Sequence, residues 1–171
     1  ASGSTAGSAV RIAAGPTTAE FGEGGAVNVR SGAALATGGK SGALVFETSN
    51  GGLLGSSGIV SLSTGSAGEG GVSGAINIES GSARLGRAGR MQLRVGESES
   101  GDGARLLAHA GGSTVGTGGD LTLTSGAGRT GSGAVAIASP SGSANSPSGP
   151  VRIASGDTVS GRAGSVALLG G

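Results

Sequence analysis

The chain has 171 residues, of which 41 are glycine and only two, Phe21 and Phe46, are aromatic. Because large side chains are so scarce, the chain cannot build the densely packed core of a conventional globular domain of this length. Basic and acidic residues number 11 and 10, whereas nucleic-acid binders normally combine a basic surplus with stacking aromatic side chains, so nucleic acid is not an expected partner.

A glycine-rich composition of this kind is typical of flexible linkers and disordered segments. Here, however, the apolar residues are regularly spaced, and stacked repeats can use their neighbours as a core. No apolar run approaches the roughly 18 residues of a membrane span, so no span is predicted. The absence of cysteine suits reducing and oxidising compartments equally.

The regular spacing follows one motif, Gly-x-Φ-x-Φ-x-x-Gly with Φ apolar, which recurs every 14 to 17 residues. Glycine lies two residues before the first Φ in ten of eleven copies and five residues after it in eight. Glycine is only about a quarter of the chain, so this agreement indicates a true repeat. In chain order the pairs are Val10 and Ile12, Val27 and Val29, Leu44 and Phe46, Val60 and Leu62, Ile76 and Ile78, Met91 and Leu93, Arg105 and Leu107, Leu121 and Leu123, Val135 and Ile137, Val151 and Ile153, and Val166 and Leu168.

Each pair is predicted to lie in a β-strand, with both Φ side chains on one face. Val, Ile and Leu dominate these positions and favour strands, whereas frequent glycine disfavours helix by about 1 kcal/mol per position. All paired residues except Arg105 are therefore predicted core residues. The copy around Arg105 is irregular, because a polar residue occupies its first Φ position. Two explanations are open: a bulge, or a shift that brings Leu106 inward.

The segments between the pairs are rich in Gly, Ser, Ala, Thr and Asp, the residues that favour turns. Examples are residues 64–74 and 124–133. Many of these segments carry one apolar residue near the middle, which is expected to fill the opposite wall of a thin core. These residues are Leu35, Leu54, Leu85, Val115 and Val159.

The predicted fold class is all-β: a glycine-rich β-solenoid of about 11 coils, with one strand per repeat of about 16 residues. An antiparallel β-meander is the alternative. The solenoid is favoured because hairpin connections usually have two to five residues, and these segments are longer. Residues 1–171 are predicted to form a single repeat array without evident caps, so the chain is expected to belong to a longer array or a polymer.

Two segments resemble nucleotide-binding loops. Residues 34–41 end in Gly39-Lys40-Ser41 but have Ala34 where the first glycine belongs, and a strand rather than a helix is predicted to follow. Residues 126–131 match Gly-x-Gly-x-x-Gly, which arises by chance in so glycine-rich a chain. Nucleotide binding is therefore disfavoured, and no cofactor is predicted.

Metal binding and catalysis are also disfavoured. His109 is the single histidine, whereas a metal site needs several ligands and a catalytic triad needs grouped partners. Asp120 follows two glycines as in calcium-binding repeats, but other copies have no acid at that place. No catalytic, cofactor-binding or metal-ligating residue is predicted, and the chain is not expected to be an enzyme.

Three surface features bear on binding. Ice binding needs a flat array such as a threonine column, but the residue between the paired Φ positions changes from copy to copy.

Four arginines in residues 84–94 precede three acids in residues 97–102, which predicts either surface ion pairs or lateral contacts between copies. Residues 139–150 hold three of the four prolines and no charge, and are expected to form an exposed loop open to O-linked glycans.

The cadence Gly-x-Val-x-Ile-x-Ser-Gly followed by a Ser/Gly/Ala segment, as in residues 74–89 and 149–164, resembles long Gly/Ser-rich tandem arrays in secreted proteins of algae and stramenopile-like microbes. The resemblance spans the chain and implies an extracellular or cell-surface, filamentous role. The predicted function is structural: a shaft or subunit of an extracellular fibre, surface appendage or coat that assembles through stacked β-rungs and associates with itself or with other fibre proteins. The stalk of an adhesin or viral fibre and an ice-binding protein are the alternatives.

Overall fold

The computed structural model describes residues 7–143 and 145–170. Within those ranges the chain forms no helix and no β-strand. The prediction of an all-β fold is therefore wrong, both as a β-solenoid of about 11 coils and as an antiparallel β-meander, and the chain is coil-rich. It divides into two units, Ala1–Gly89 and Arg90–Gly171, which are described separately.

The missing sheet has a physical explanation in the backbone hydrogen bonds. A strand exists only where neighbouring segments exchange a ladder of N–H to C=O bonds. Across the described ranges, such bonds lie inside turns or at the bases of loops, and the segments with the Φ pairs form no ladder. Glycine raises the conformational entropy lost on ordering the backbone, and two apolar side chains per repeat offset little of that loss.

The repeat is visible instead as a regular series of turns and bends. In the part of the chain that the structure describes, one lies in each of the ten segments between successive Φ pairs. Their positions are 19–21, 36–38, 53–54, 69–70, 84–86, 99–101, 114–116, 129–130, 145–146 and 159–161. The backbone thus turns once per copy, within the segments richest in glycine and serine.

The glycines of the repeat motif close several of these loops. The N–H of the glycine before one Φ pair donates to the carbonyl of the glycine that follows the preceding pair. Such bonds join Gly25 to Gly15 and Gly42 to Gly32 at 2.9 Å in the first unit, and Gly119 to Gly111 and Gly133 to Gly126 at 2.8 Å in the second. The glycines that recur in the motif therefore coincide with the residues that close these loops.

A small side chain lies against the glycine at eight loop bases. In seven of them it belongs to the residue four positions after the first Φ, and in the irregular copy it belongs to Ala110, five positions after Arg105. A Cβ added to the glycine would meet it at 3.1–3.9 Å. The pairs are Ala14–Gly25, Ser31–Gly42, Thr48–Gly58, Thr64–Gly74, Ser80–Gly89, Ala110–Gly119, Ser125–Gly133 and Ser155–Gly164. Val95, Ser125 and Ser139 occupy the same motif position and are half-buried, whereas the other described residues are exposed.

The irregular copy has one extra residue before its loop base. Its loop base uses Ala110 and Gly111 opposite Gly119, and Ala110 lies five residues after Arg105 rather than four. A bulge and a shift that brings Leu106 inward both account for the extra residue, and the exposures of Leu106 and Leu107 are similar, at 64% and 68%.

The tips of the first four loops share one kind of turn. In each, the N–H of the fourth residue donates to the carbonyl of the first, at 2.8–3.1 Å: Gly22 to Ala19, Gly39 to Ala36, Gly55 to Gly52 and Gly71 to Gly68. The third residue has a positive φ, which is 75° at Gly38 and 74° at Gly70. Glycine suits this position because it has no Cβ to clash in the left-handed region.

Candidate functional site

The residues predicted to form the core are exposed in the single chain, so their burial stays a prediction. Each keeps at least 48% of its surface exposed. The physical reason is the missing sheet: without ladders between copies, no second layer covers the Φ side chains. The residues concerned are Val10, Ile12, Val27, Val29, Leu44, Phe46, Val60, Leu62, Ile76, Ile78, Met91, Leu93, Leu107, Leu121, Leu123, Val135, Ile137, Val151, Ile153, Val166 and Leu168.

These residues, taken in sequence order within each unit separately, are here called the apolar stripe. From Val27 to Ile153 they are 48–72% exposed. The apolar residues at the loop tips differ, because Leu35, Leu85 and Val159 are at least 97% exposed. They do not form the opposite wall of a core within this chain, and none of the described residues is buried.

The accessible surface area shows how much surface the single chain leaves unburied. The surface is 17379 Å², whereas a folded monomer of 15.6 kDa has about 7,200 Å² and its unfolded chain about 23,000 Å². A compact monomer of this mass would therefore bury roughly 10,000 Å² more surface than this chain does. Burial of the apolar stripe requires another surface.

A hollow lies among these residues in the first unit. Phe46, Val60, Ser61 and Leu62 line a volume of about 380 Å³, here called the Phe46 hollow. Phe46 belongs to the third Φ pair, and Val60 and Leu62 form the fourth. The hollow therefore spans two successive copies, and its lining is mainly hydrocarbon.

The loop between these two copies has a hydrogen bond at its base and a close backbone approach near its tip. The Thr48 hydroxyl donates to the carbonyl of Gly58 at 3.4 Å. Near the tip, a Cβ on Gly51 would lie 2.6 Å from the carbonyl oxygen of Gly55. The glycine at 51 therefore permits a close backbone approach that a larger residue would prevent.

Phe21 and Leu54 occupy the positive-φ position at the tips of the first and third loops, where the second and fourth have glycine. Their φ angles are 57° and 62°, and both side chains are essentially fully exposed. A bulky residue in the left-handed region costs of order 1–3 kcal/mol. Two large apolar side chains are thus presented to solvent on turns that glycine would form with less strain.

The residues considered for nucleotide binding are not arranged for it. Gly39 N–H donates to Ala36, and Gly42 N–H donates to Gly32, so neither amide is directed to a phosphate. The described residues after Lys40 form no helix whose N-terminus might hold an anion. At residues 126–131, Gly126 accepts the loop-closing bond from Gly133.

His109 and Asp120 are both exposed. Among the described residues, no three His, Cys, Asp or Glu side chains come together in a way that could hold a metal ion. Neither residue therefore contributes to a visible constellation of ligands or catalytic groups.

Within the described ranges, the charged segments around Arg94 form one ion pair. The Arg94 guanidinium donates to the Glu97 carboxylate at 2.8 Å, and their side chains are 65% and 87% exposed. Such exposed pairs contribute about 0–1 kcal/mol and weaken with salt.

Replacing Arg94 by glutamine is accordingly expected to leave the conformation of residues 96–103 nearly unchanged. Amide chemical shifts of that loop, compared with the original chain at low and high salt, check this. A general loss of the loop's signals in the variant would show that the pair orders the segment, contrary to this expectation.

The described part of the chain contains no helix with the length and hydropathy needed to cross a membrane. No protein-family model matches the sequence, and neither the curated proteins nor the solved structures gave a match. The apolar stripe, the hollow and the loop tips are therefore the features of this chain from which a function can be inferred.

Proposed function

We propose that the chain is a structural subunit of an extracellular fibre, surface appendage or coat, and that its copies associate through the apolar stripe. The observation that carries the proposal is the accessibility of Φ side chains in all eleven copies, with none of the described residues buried. Apolar surface on this scale marks an interaction site in a soluble protein. A repeating stripe suits a partner that has the same repeat.

Charge supports association between copies. The unit Ala1–Gly89 has five basic and five acidic residues, and Arg90–Gly171 has six and five, which together give the chain's 11 and 10. With a formal net charge of +1, the copies repel one another little. A low net charge favours association.

The mechanism is mechanical rather than chemical. Glycine-closed loops space the apolar pairs at 14 to 17 residues, so each copy of the motif adds a similar contact. Burial of about 25 cal/mol per Å² of apolar surface supplies the driving force. Assembly through stacked β-rungs, the mechanism predicted from the sequence, is not proposed, because the described residues form no strand.

Negative-stain electron microscopy of the purified chain over a concentration series tests the proposal. Filaments or extended assemblies that lengthen with concentration are expected. Separate particles of constant size at every concentration would contradict it. If such particles also produced thermal hysteresis, the ice-binding alternative would replace the structural one, and specific glycan capture would favour an adhesin stalk.

A further inference from the structure

We propose that Asn50 is a self-modification site, at which the backbone nitrogen of Gly51 displaces ammonia from the side-chain amide and converts the asparagine into aspartate and isoaspartate. Asn50 is the only one of the four asparagines in the chain that precedes a glycine. This chemistry does not depend on the proposed structural function.

The reaction needs only the chain and water. The Gly51 nitrogen loses its proton and attacks the side-chain carbonyl carbon Cγ of Asn50, so that an N–Cγ bond and a cyclic imide form. The Cγ–Nδ2 bond breaks, and Nδ2 leaves as ammonia with the proton that the Gly51 nitrogen gives up. Because the reacting atoms belong to adjacent residues, the attack has the rate advantage of an intramolecular reaction.

Water then opens the imide at one of its two carbonyl carbons. Cleavage of the bond from the Gly51 nitrogen to Cγ restores the ordinary main chain and leaves an aspartate at position 50. Cleavage at the main-chain carbonyl carbon leaves the chain running through Cβ and Cγ, which is an isoaspartate. Formation of both products is therefore the signature of attack by the backbone nitrogen.

The reacting atoms of Asn50 and Gly51 are not occupied by hydrogen bonds. Among the described residues, no oxygen accepts from Gly51 N–H, and the Asn50 side chain forms no hydrogen bond. The bond at the tip of this loop uses other atoms, since Gly55 N–H donates to the Gly52 carbonyl at 2.8 Å. The Gly51 nitrogen is therefore available for attack on the neighbouring side chain.

The conformation of the loop requires the glycine that makes Asn50 reactive. A Cβ at position 51 would lie 2.6 Å from the carbonyl oxygen of Gly55 and 2.8 Å from the carbonyl carbon of Ser56. Because Gly51 has no side chain, nothing of its own hinders the approach of its nitrogen to Cγ of Asn50. The close backbone approach and the reactivity thus depend on the same residue.

The other three asparagines are hindered by the residue that follows each of them. Asn28 and Asn77 each precede a β-branched residue, whose bulk next to the backbone nitrogen hinders the attack. Asn145 precedes Ser146, whose N–H is already engaged, because it donates to the Ser143 carbonyl at 3.0 Å. All three are exposed, as Asn50 is, so the following residue, and not access to water, distinguishes Asn50.

The products change both the charge and the main chain. One new carboxylate raises the acidic residues from 10 to 11, which equals the 11 basic residues, so the formal net charge falls from +1 to 0. Isoaspartate also adds a methylene group to the main chain directly before Gly51. We expect the close approach of Gly51 to Gly55 to be lost in that product.

Timed incubation of the full chain in neutral buffer, followed by peptide mass spectrometry, tests the proposal. The mass gain from replacing NH₂ by OH is expected in the peptide that contains Asn50. Reaction there is expected to be at least about tenfold faster than at Asn28, Asn77 or Asn145, a difference of about 1.4 kcal/mol in the barrier. Equal rates at all four, no reaction at Asn50, or aspartate without isoaspartate would overturn the proposal.

Two alanine variants test the role of the following glycine. Gly51→Ala places a methyl group beside the attacking nitrogen and is expected to slow the reaction at Asn50 at least about tenfold. Gly52→Ala is the matched control, because it removes a neighbouring glycine and leaves Gly51 in place, and it is expected to react at the original rate. Equal rates in the two variants would contradict the assigned role of Gly51.

Ile78→Gly provides the converse test, since it places a glycine after Asn77. That asparagine is then expected to react at least about tenfold faster than in the original chain. An unchanged rate at Asn77 would overturn the role given to the following residue. These rates are measured whether or not copies associate, so they decide the modification separately from the proposed structural function.

Discussion

Replacing Ile76 by glutamate is expected to suppress assembly strongly, with the concentration at half-assembly rising at least about 100-fold, or about 2.7 kcal/mol. Ile76 is 49% exposed in the single chain, and association would bury much of the rest. A carboxylate at this position would have to leave water without a partner, which costs several kcal/mol. Sedimentation velocity over a concentration series measures the effect.

Asn77→Glu is the matched control for this prediction. It adds the same charge one residue away, at a polar position that does not belong to the stripe. Assembly is expected to change by no more than a few-fold, since the added charge stays in water. Equal loss of assembly in both variants would mean that net charge, rather than burial of the stripe, controls association.

The second large effect is expected at the third loop, where Gly51→Ala should open the close backbone approach. The added Cβ would lie 2.6 Å from the carbonyl oxygen of Gly55 and 2.8 Å from the carbonyl carbon of Ser56. Both contacts are backbone, so no side-chain rotation relieves them, and overpacking of this kind costs about 1–3 kcal/mol. Loss of nuclear Overhauser effects between residues 51 and 55 is the expected signal.

Gly52→Ala separates this effect from a general response to losing glycine. A Cβ on Gly52 would meet nothing within 4 Å, and the Gly52 carbonyl stays free to accept from Gly55 N–H. The loop contacts are therefore expected to persist in this variant. Equal disruption by both substitutions would show that flexibility, not close approach, explains glycine at position 51.

The sequence predicts where the chain turns but not its secondary structure. Frame glycines such as Gly25 and Gly42 mark the loop bases because the same spacing recurs in the motif. Strand formation depends on hydrogen bonds between different copies of the motif. The alternation at Val27 and Val29 is local, so it does not show whether another copy lies close enough to form those bonds. A local pattern typical of strands therefore led to a wrong all-β prediction.

The candidate site was only partly predictable. The apolar stripe coincides with residues assigned to a core from sequence, but the single chain leaves them exposed, and their burial stays a prediction for the assembled protein. The small residue opposite eight of the loop-base glycines was not predicted, although Ser31, Thr48 and Ser80 share one motif position and give a readable signal. Phe21 and Leu54 were not predictable at positive φ, because side chains of that size normally avoid it.

The measurement that tests the central claim most directly is sedimentation velocity of the unmodified chain from low to high concentration. The claim is that one chain leaves its apolar stripe exposed and that further copies cover it. A mass that rises from 15.6 kDa toward larger species as concentration increases is the predicted result. A single species of 15.6 kDa throughout would contradict the account, since the stripe would then stay uncovered.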